Sequence, residues 1–515
     1  MDYRIPTGLT ADAVAHHIQE DLHGIIEPLG SETTVYYDTF NWAIYSTGGL
    51  LSQCAGVLEW RSRASDEVCS QPLETEPGFA QALQAGPVQA HIVGACGQRR
   101  LLPVMRIKTT TRLLRIVNRN NETVVCLLLD LNRFEDPVSF RAGDLSVRLR
   151  VKPTRSFDQE WDAAFTLLKE RLGLIASNEP LLLEALAAAG RRPLDDFSKL
   201  DVQLDPGQRA DATIKQILLA LLDTLEVNVE GAQANWDPEF LHDLRVAVRR
   251  TRSILGQIKG VFPDQEVAHY QKRFTWLQQV TGSVRDLDVY LLAFDDDRNR
   301  LPTLLRPRLA PLYNFLDSHY NTEQQTLATV LGSPPFTALL TQWRAFLTAP
   351  VPDSSLLPNA MRPIRSVIEA RVLRLAKRVR RQGRAINAKS TPEDLHELRK
   401  SCKKLRYLLE CFQGLYPASQ LRPLIKPLKL LLEQLGDAQD LAVQVAHLEA
   451  VAEQMLVEGA ATTSTLLAMG ALIGDLLARQ QIAQIEFIKV FATFDTGRQW
   501  QQYKSLFACA EDDAS

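Results

Sequence analysis

The sequence predicts a multidomain chain, an α+β domain followed by an all-α domain built from two copies of a helical bundle. Three observations carry this reading. At 515 residues the chain is too long for one core. The first 150 or so residues run in short β-rich stretches separated by turn residues, whereas the chain beyond about residue 209 repeats its apolar residues at three and four. Within that helical part, a segment of 49 residues recurs 154 positions later.

The N-terminal part is read from "TVYYDT", "AHIVGA", "LLRIVNRNNETVVCLLLDL" and "LSVRLRVKP". In the third stretch "NRNNE" lies between two apolar runs, which marks a hairpin. From Phe157 to about Gly190 the pattern turns helical, and "GRRPLDDFSKLDVQLDPGQ" has the turn residues of a linker. The expected boundaries are a domain over 1–190, a linker over 191–208 and a helical domain over 209–505, its copies spanning about 209–350 and 360–505. Breaks in the helical part fall at Pro/Gly clusters such as "FPDQ", "LGSPP" and "APVPDSSLLPN".

Composition narrows the function. With 45% hydrophobic residues the chain folds, and 58 Lys+Arg against 61 Asp+Glu exclude a generally basic, nucleic-acid-coating protein. Any basic site is local. The seven cysteines show no CxxC pair and no zinc or disulfide spacing. Cys402 and Cys411 would lie ~13 Å apart along a helix, beyond bridging reach. These features, with no signal-peptide pattern at the start and no uninterrupted apolar span, predict a cytoplasmic protein without a membrane segment.

The repeat sets "LHDLRVAVRRTRSIL" (241–255) on "LHELRKSCKKLRYLL" (395–409) and holds without a gap from 241/395 to 289/443. Fourteen of the 49 positions are identical, against about three by chance composition. The matches include His242/His396, Arg245/Arg399, Arg252/Arg406, Pro263/Pro417, Gly282/Gly436 and Asp286/Asp440, while Arg249/Lys403 and Arg250/Lys404 keep the charge. On a helix, His242, Arg245, Arg249 and Arg252 fall within a sector of about 80°, as do His396, Arg399, Lys403 and Arg406. Leu244, Val248, Thr251 and Leu255 form an apolar stripe beside the first set, and Leu398, Cys402, Leu405 and Leu409 beside the second. The basic stripe therefore borders the core, where like charges three and four residues apart repel unless an anion is bound.

Arg371, Arg374, Arg378 and Arg381 repeat this spacing on the helix before the second copy, and residues 362–406 hold fifteen Lys/Arg against four Asp/Glu. The first copy has Ile217, Ala220, Thr224 and Val227 there, so the stronger field belongs to the second copy. One such helix alone reads as a solvated face or an ion-pair network. Two in strict register, each with a leading histidine and a later Gly-x-x-x-Asp, read as a polyanion site, with Asp286 and Asp440 orienting a guanidinium or the histidine. Metal binding is not expected, because the histidines' helical neighbours are cationic rather than ligands. Base reading is not expected either, since Tyr407 is the lone aromatic among the basic residues.

"HDLRVAVRRTRSIL" with "TGSVRDLDV", repeated as "HELRKSCKKLRYLL" with "LGDAQDLAV", resembles the CHAD family, the conserved-histidine α-helical domain, over about Ala210 to Lys504. The resemblance implies two four-helix bundles related by pseudo-twofold symmetry, whose basic helices line a groove for inorganic polyphosphate. Two positions depart from the repeat: Gln439 stands where the first copy has Arg285, and Ala442 where it has Asp288. The N-terminal part resembles the CYTH, or triphosphate tunnel, domain through "YYDTFNWAIYSTGGLL", "RRLLPVMRIKTTTRLLRI" with "VVCLLLD", and "GLIASNEPLLLEALA". In that family an ExExK strand and later carboxylates hold divalent metal. Here the start is "MDYRIP", with Arg4 where a carboxylate belongs, and "SVRLRVK" puts Arg148, Arg150 and Lys152 on one face. A cationic wall expels a metal ion, so the tunnel-like domain is read as degenerate. Arg106, Lys108 and Arg112 share a strand face that keeps anion binding open.

The expected function is thus non-enzymatic binding of inorganic polyphosphate, without catalytic residues, cofactor or metal, in a protein of polyphosphate granules. The cations assigned to it are His242, Arg245, Arg249, Arg250, Arg252, Arg371, Arg374, Arg378, Arg381, His396, Arg399, Lys403, Lys404 and Arg406. Its rivals are a metal-dependent inorganic triphosphatase tethered to polyphosphate by the helical domain, and a nucleic-acid binder. Protonation of His242 and His396 on contact with phosphate predicts tighter binding as pH falls through about 6.5.

Overall fold

The computed structural model describes residues 2–508 apart from 7–8, 23, 118–122, 153–165, 167–168, 171, 178, 195–201 and 388–389. The chain divides into two units, Met1–Asp196 and Phe197–Ser515.

In the first unit the strands are β1 (Asp2–Arg4), β2 (Gly24–Asp38), β3 (Gly49–Cys54), β4 (Val57–Ser62), β5 (Val68–Pro72), β6 (Leu102–Val117), β7 (Thr123–Glu135), β8 (Ala142–Asp144), β9 (Arg148–Lys152) and β10 (Ile175–Ala176). They form one antiparallel sheet in the order β10-β1-β9-β7-β6-β2-β3-β4-β5, with β8 paired to β7. The hairpin read from "NRNNE" is β6–β7, in register from Arg106↔Glu135 to Ile116↔Val125, its tip lying outside the described residues. Alternation along these strands turns Leu114, Ile116, Leu127, Leu129, Leu149 and Val151 to one face, where Ala11 and Val14 of α1 (Ala11–Leu22) cover them. Met105, Ile107 and Phe134 turn to the other face, where a later helix contributes Leu182, Ala185 and Leu186.

Before that later helix come the short α2 (Ala43–Ser46) and α3 (Pro87–Cys96). The later helix, α4, runs only over Leu181–Ala188, and much of the helical stretch expected from Phe157 lies outside the described residues.

The second unit is helical: α5 (Ala210–Val227), α6 (Val229–Gln233), α7 (Pro238–Gln257), α8 (Asp264–Val280), α9 (Gly282–Arg300), α10 (Ala310–Leu331), α11 (Pro334–Thr348), α12 (Ile364–Ala385), α13 (Pro392–Cys411), α14 (Ala418–Val457), α15 (Thr463–Phe494) and α16 (Gly497–Phe507). The repeat is visible in the helix starts, since α12, α13 and α14 begin 154 residues after α5, α7 and α8. Matching caps explain part of this. Asp237 caps α7 through Glu239 and Phe240 N–H, and Thr391 forms a capping box with Asp394 on α13, each before a proline at the first turn.

The copies differ at one joint. Thr281 ends α8, its hydroxyl donating to the Leu277 carbonyl at 2.8 Å, and α9 starts anew at Gly282. The equivalent residue in the second copy is Leu435, and the 40-residue α14 continues through it. Beyond it, α9 and α10 share one core with the second half of α14 and with α15, formed by Leu287, Phe294, Leu312, Leu441, Leu448 and Met469 among others. Both copies thus contribute to a single apolar cluster. No helix among the described residues is long and apolar enough to cross a membrane.

One close approach is tight enough to predict a measurement. Gly383 on α12 lies against the Phe491 ring, and a Cβ there would enter the ring. Gly383→Ala is therefore expected to lower stability by about 1–3 kcal/mol through overpacking, although alanine is the better helix former. A denaturant midpoint at or above the parent's would contradict this packing.

Candidate polyanion site

The site is built on α7, α12 and α13. The apolar stripes sink into the core, with Leu244, Val248, Thr251, Leu255, Leu398, Cys402, Leu405 and Leu409 all buried. Each basic stripe is then held half-buried at the core's edge, as the 3.6-residue period requires. Signature helices α7 and α13 pack on each other. Arg250 of α7 donates to Glu410 of α13 at 3.2 Å, and Arg371 of α12 hydrogen-bonds Gln257 at the end of α7. Arg249 and Lys403, equivalent residues of the two copies, lie close enough for the guanidinium to disfavour the ammonium's charge.

Electrostatics show how crowded the cations are. Burial, then Arg399 and Arg249, push Lys403 down to about 8. Burial and Arg249 bring Arg245 down to about 10, against the pull of Asp286. Arg371 is lowered by burial and by Arg374 and Arg378, and Lys404 by burial and by Arg378 and Lys400. Each shift opposes the charged form, so the ligand-free site stores repulsion that an anion would relieve.

The assigned residues divide by what already holds them. Arg245 donates to the Gln278 carbonyl at 2.9 Å and to Thr281 Oγ1 at 2.8 Å, reaching the end of α8. Arg252 hydrogen-bonds the Gln278 side chain. In the second copy the joint is continuous helix, and Arg399 instead pairs with Asp440 at 2.9 Å. Gly436 lies beneath this pair, where a Cβ would stand 3.5 Å from Arg399 Nη2. Asp286 makes no ion pair with Arg245 among the described contacts and acts on it through space. Arg406 lies 3.7 Å from Glu410.

Among the described residues, Arg249, Arg374, Arg378, Arg381, Lys403 and Lys404 have no carboxylate within ion-pair distance. Among the described residues, the Nε atoms of Arg249, Arg250, Arg371, Arg399 and Arg406 and Nδ1 of His396 are buried without a hydrogen-bond partner. His242 has an interaction of its own.

Sequence reasoning missed Glu410, half-buried between both copies, and Lys429 of α14, 3.7 Å from it. Arg285 and Asp288 form a 3.8 Å pair in the first copy; Gln439 and Ala442 remove both members together in the second. Tyr407, the one aromatic candidate for stacking, is buried at 7% exposure and presents no face to a base.

The polar residues of the first unit answer to one another. Arg4 pairs with Glu179 at 3.1 Å and Glu184 at 3.2 Å, and Arg148 with Glu184 at 2.9 Å. Arg150 donates to Asp130 at 3.0 Å, and Thr111 to the same carboxylate at 2.7 Å. Although burial opposes it, the Ser146 N–H and Arg148 hold Glu184 below the ordinary carboxylate range. These carboxylates are occupied by guanidinium groups and do not fit the divalent ion of tunnel enzymes. Arg106, Lys108 and Arg112 sit on the opposite face, with Arg106 3.6 Å from Glu76 and Arg112 2.6 Å from Asp12.

The CHAD domain family model matches residues 216–449. Solved structures are similar too, three of them as follows. The CHAD domain from the plant Ricinus communis is 25% identical, with 60% of this chain and 94% of its own covered and a TM-score of 0.45. PptA from Streptomyces chartreusis is 16% identical, with 55% and 99% covered and a TM-score of 0.43. HpAC1 from Hippeastrum, a protein with a dominant triphosphatase activity, is 14% identical, with 38% and 97% covered and a TM-score of 0.25. No curated protein matches the sequence. With the family match spanning both His/Arg helices, residues 216–449 of this chain are a CHAD domain.

Proposed function

We propose that the chain binds inorganic polyphosphate without hydrolysing it, through the basic faces of α7, α12 and α13. The observation that carries the reading is the pairing of Arg249 with Lys403. These equivalent cations from two copies are half-buried and near enough for Arg249 to oppose the charge of Lys403, with Asp440 offsetting only part of that cost and neither cation in an ion pair among the described residues. A linear polymer with one charge at each phosphate suits cations arrayed along helix faces, and a compact anion would leave most of them unmatched. The helices belong to two bundles related by pseudo-twofold symmetry, so one polymer crosses from Arg249 to Lys403 and on past Lys404 to Arg378, with Arg374 and Arg381 on either side of it along α12. The protein acts at polyphosphate granules as a binding component.

Isothermal titration of long-chain polyphosphate into the full chain tests this. Replacing Arg399, Lys403 and Arg406 together by alanine is expected to weaken binding at least about a hundredfold, since each bond to a charged group contributes about 1.5–3 kcal/mol. Unchanged affinity would remove the assignment. Phosphate release from inorganic triphosphate with Mg²⁺ or Mn²⁺ would establish the triphosphatase rival instead.

A further inference from the structure

The residue that stands against the site is Glu410. Its carboxylate, 16% exposed, accepts from Arg250 at 3.2 Å and lies 3.7 Å from Arg406 and 3.7 Å from Lys429. These three cations come from α7, α13 and α14, so the single carboxylate ties both copies together in the last turn of α13, beside the basic residues. The equivalent position in the first copy is Gly256, and the counter-charge is therefore one-sided. An anion fixed among cations has two opposed effects. It relieves their mutual repulsion in the free protein, and it repels any polyanion brought to the same place.

Resting on the polyphosphate reading, we propose that Glu410 is the affinity-setting residue of the site, an internal anion that a bound polyphosphate chain displaces from Arg250, Arg406 and Lys429. In the free protein it holds the Arg250 side chain and lies near those of Arg406 and Lys429. Once the polymer arrives, phosphate oxygens take over the guanidinium N–H groups, including the buried Nε atoms of Arg250 and Arg406 that have no acceptor of their own. Glu410 thus sets the affinity below what the cations alone would give, and keeps binding reversible.

The test is titration of long-chain inorganic polyphosphate into the full chain and its Glu410→Gln variant at one salt concentration, with the unfolding midpoint of each recorded without ligand. The expected result is a lower midpoint and binding roughly three- to tenfold tighter, with a steeper salt dependence because more cations are open to phosphate. A lower midpoint with unchanged affinity would make Glu410 structural only. Weaker binding would mean that it aims the arginines at the ligand, and either result overturns the proposal. Should the glutamine variant fail to fold, Glu410→Asp draws the carboxylate back by one methylene and is expected to tighten binding by a smaller factor. No tightening in that variant is equally contrary. Absence of polyphosphate binding by the unaltered protein would defeat the underlying reading, which is distinct from unaltered binding that the substitutions leave the same.

Discussion

Replacing Arg249 and Lys403 together by alanine is expected to lower the affinity for long-chain polyphosphate by roughly a hundredfold while raising the stability of the free protein. The two effects have one cause. Lys403 is pushed down to about 8 by burial and by Arg399 and Arg249, so the unliganded fold carries an ammonium it would rather discharge. Removing both charges removes that cost. It also deletes the cations that join the first copy to the second, and each bond of a charged group to phosphate is worth about 1.5–3 kcal/mol. The pair therefore separates a binding role from a structural one, because losing residues that merely held the helices together would lower stability as well. Replacing Arg245 gives the contrast. Its guanidinium is committed to the Gln278 carbonyl and Thr281, and its loss is expected to cost stability first, read as a lower unfolding midpoint.

Affinity is expected to fall about tenfold between about pH 7 and about pH 9, with Lys403 as the titrating group. In the free protein its folded value, about 8, lies below a lysine's ordinary 10.5. Between the two values the unfolded chain binds the extra proton, so the stability of the free protein rises with pH across that window. A bound polyanion favours the ammonium and raises the lysine's value again. Binding consequently takes up a proton above about pH 8, and affinity declines as pH rises through that point. Lys403→Arg keeps the charge at every accessible pH, and its affinity is expected to be flat over the same range. A pH profile shared by the arginine variant and the parent would place the dependence elsewhere.

Much of the helical part was legible in the sequence because the evidence for it is periodic. The 154-residue offset foretold that α13 would repeat α7, and the placement of Leu244, Val248, Leu398 and Leu405 beside the basic residues required the charges to lie at the core's edge. Which of those charges are already satisfied was not legible, because their partners are distant in sequence. Arg245 is held at the helix end at Thr281, whereas the second copy has Leu435 within continuous helix. Glu410 reads in the sequence as an ordinary helical neighbour of Arg406, and nothing at Gly256 points to it; its contact with Arg250 arises from the packing of α7 on α13. The N-terminal sheet was readable from its hairpin and its alternating runs. Its arginines looked like an exposed basic wall until Glu179, Glu184 and Asp130 were seen to meet them.

The central claim is that a polyanion is gripped by many cations at once, and the salt dependence of binding tests it most directly. Titrating long-chain polyphosphate into the full chain over a range of salt concentrations gives the slope of log affinity against log salt, about −0.7 per phosphate neutralised by analogy with a single nucleic-acid strand. The six cations that lack a carboxylate partner among the described residues predict a slope of about −4, shallower by about 1.4 when Arg249 and Lys403 are alanine. A slope nearer zero than about −1, or one unmoved by that substitution, would contradict it.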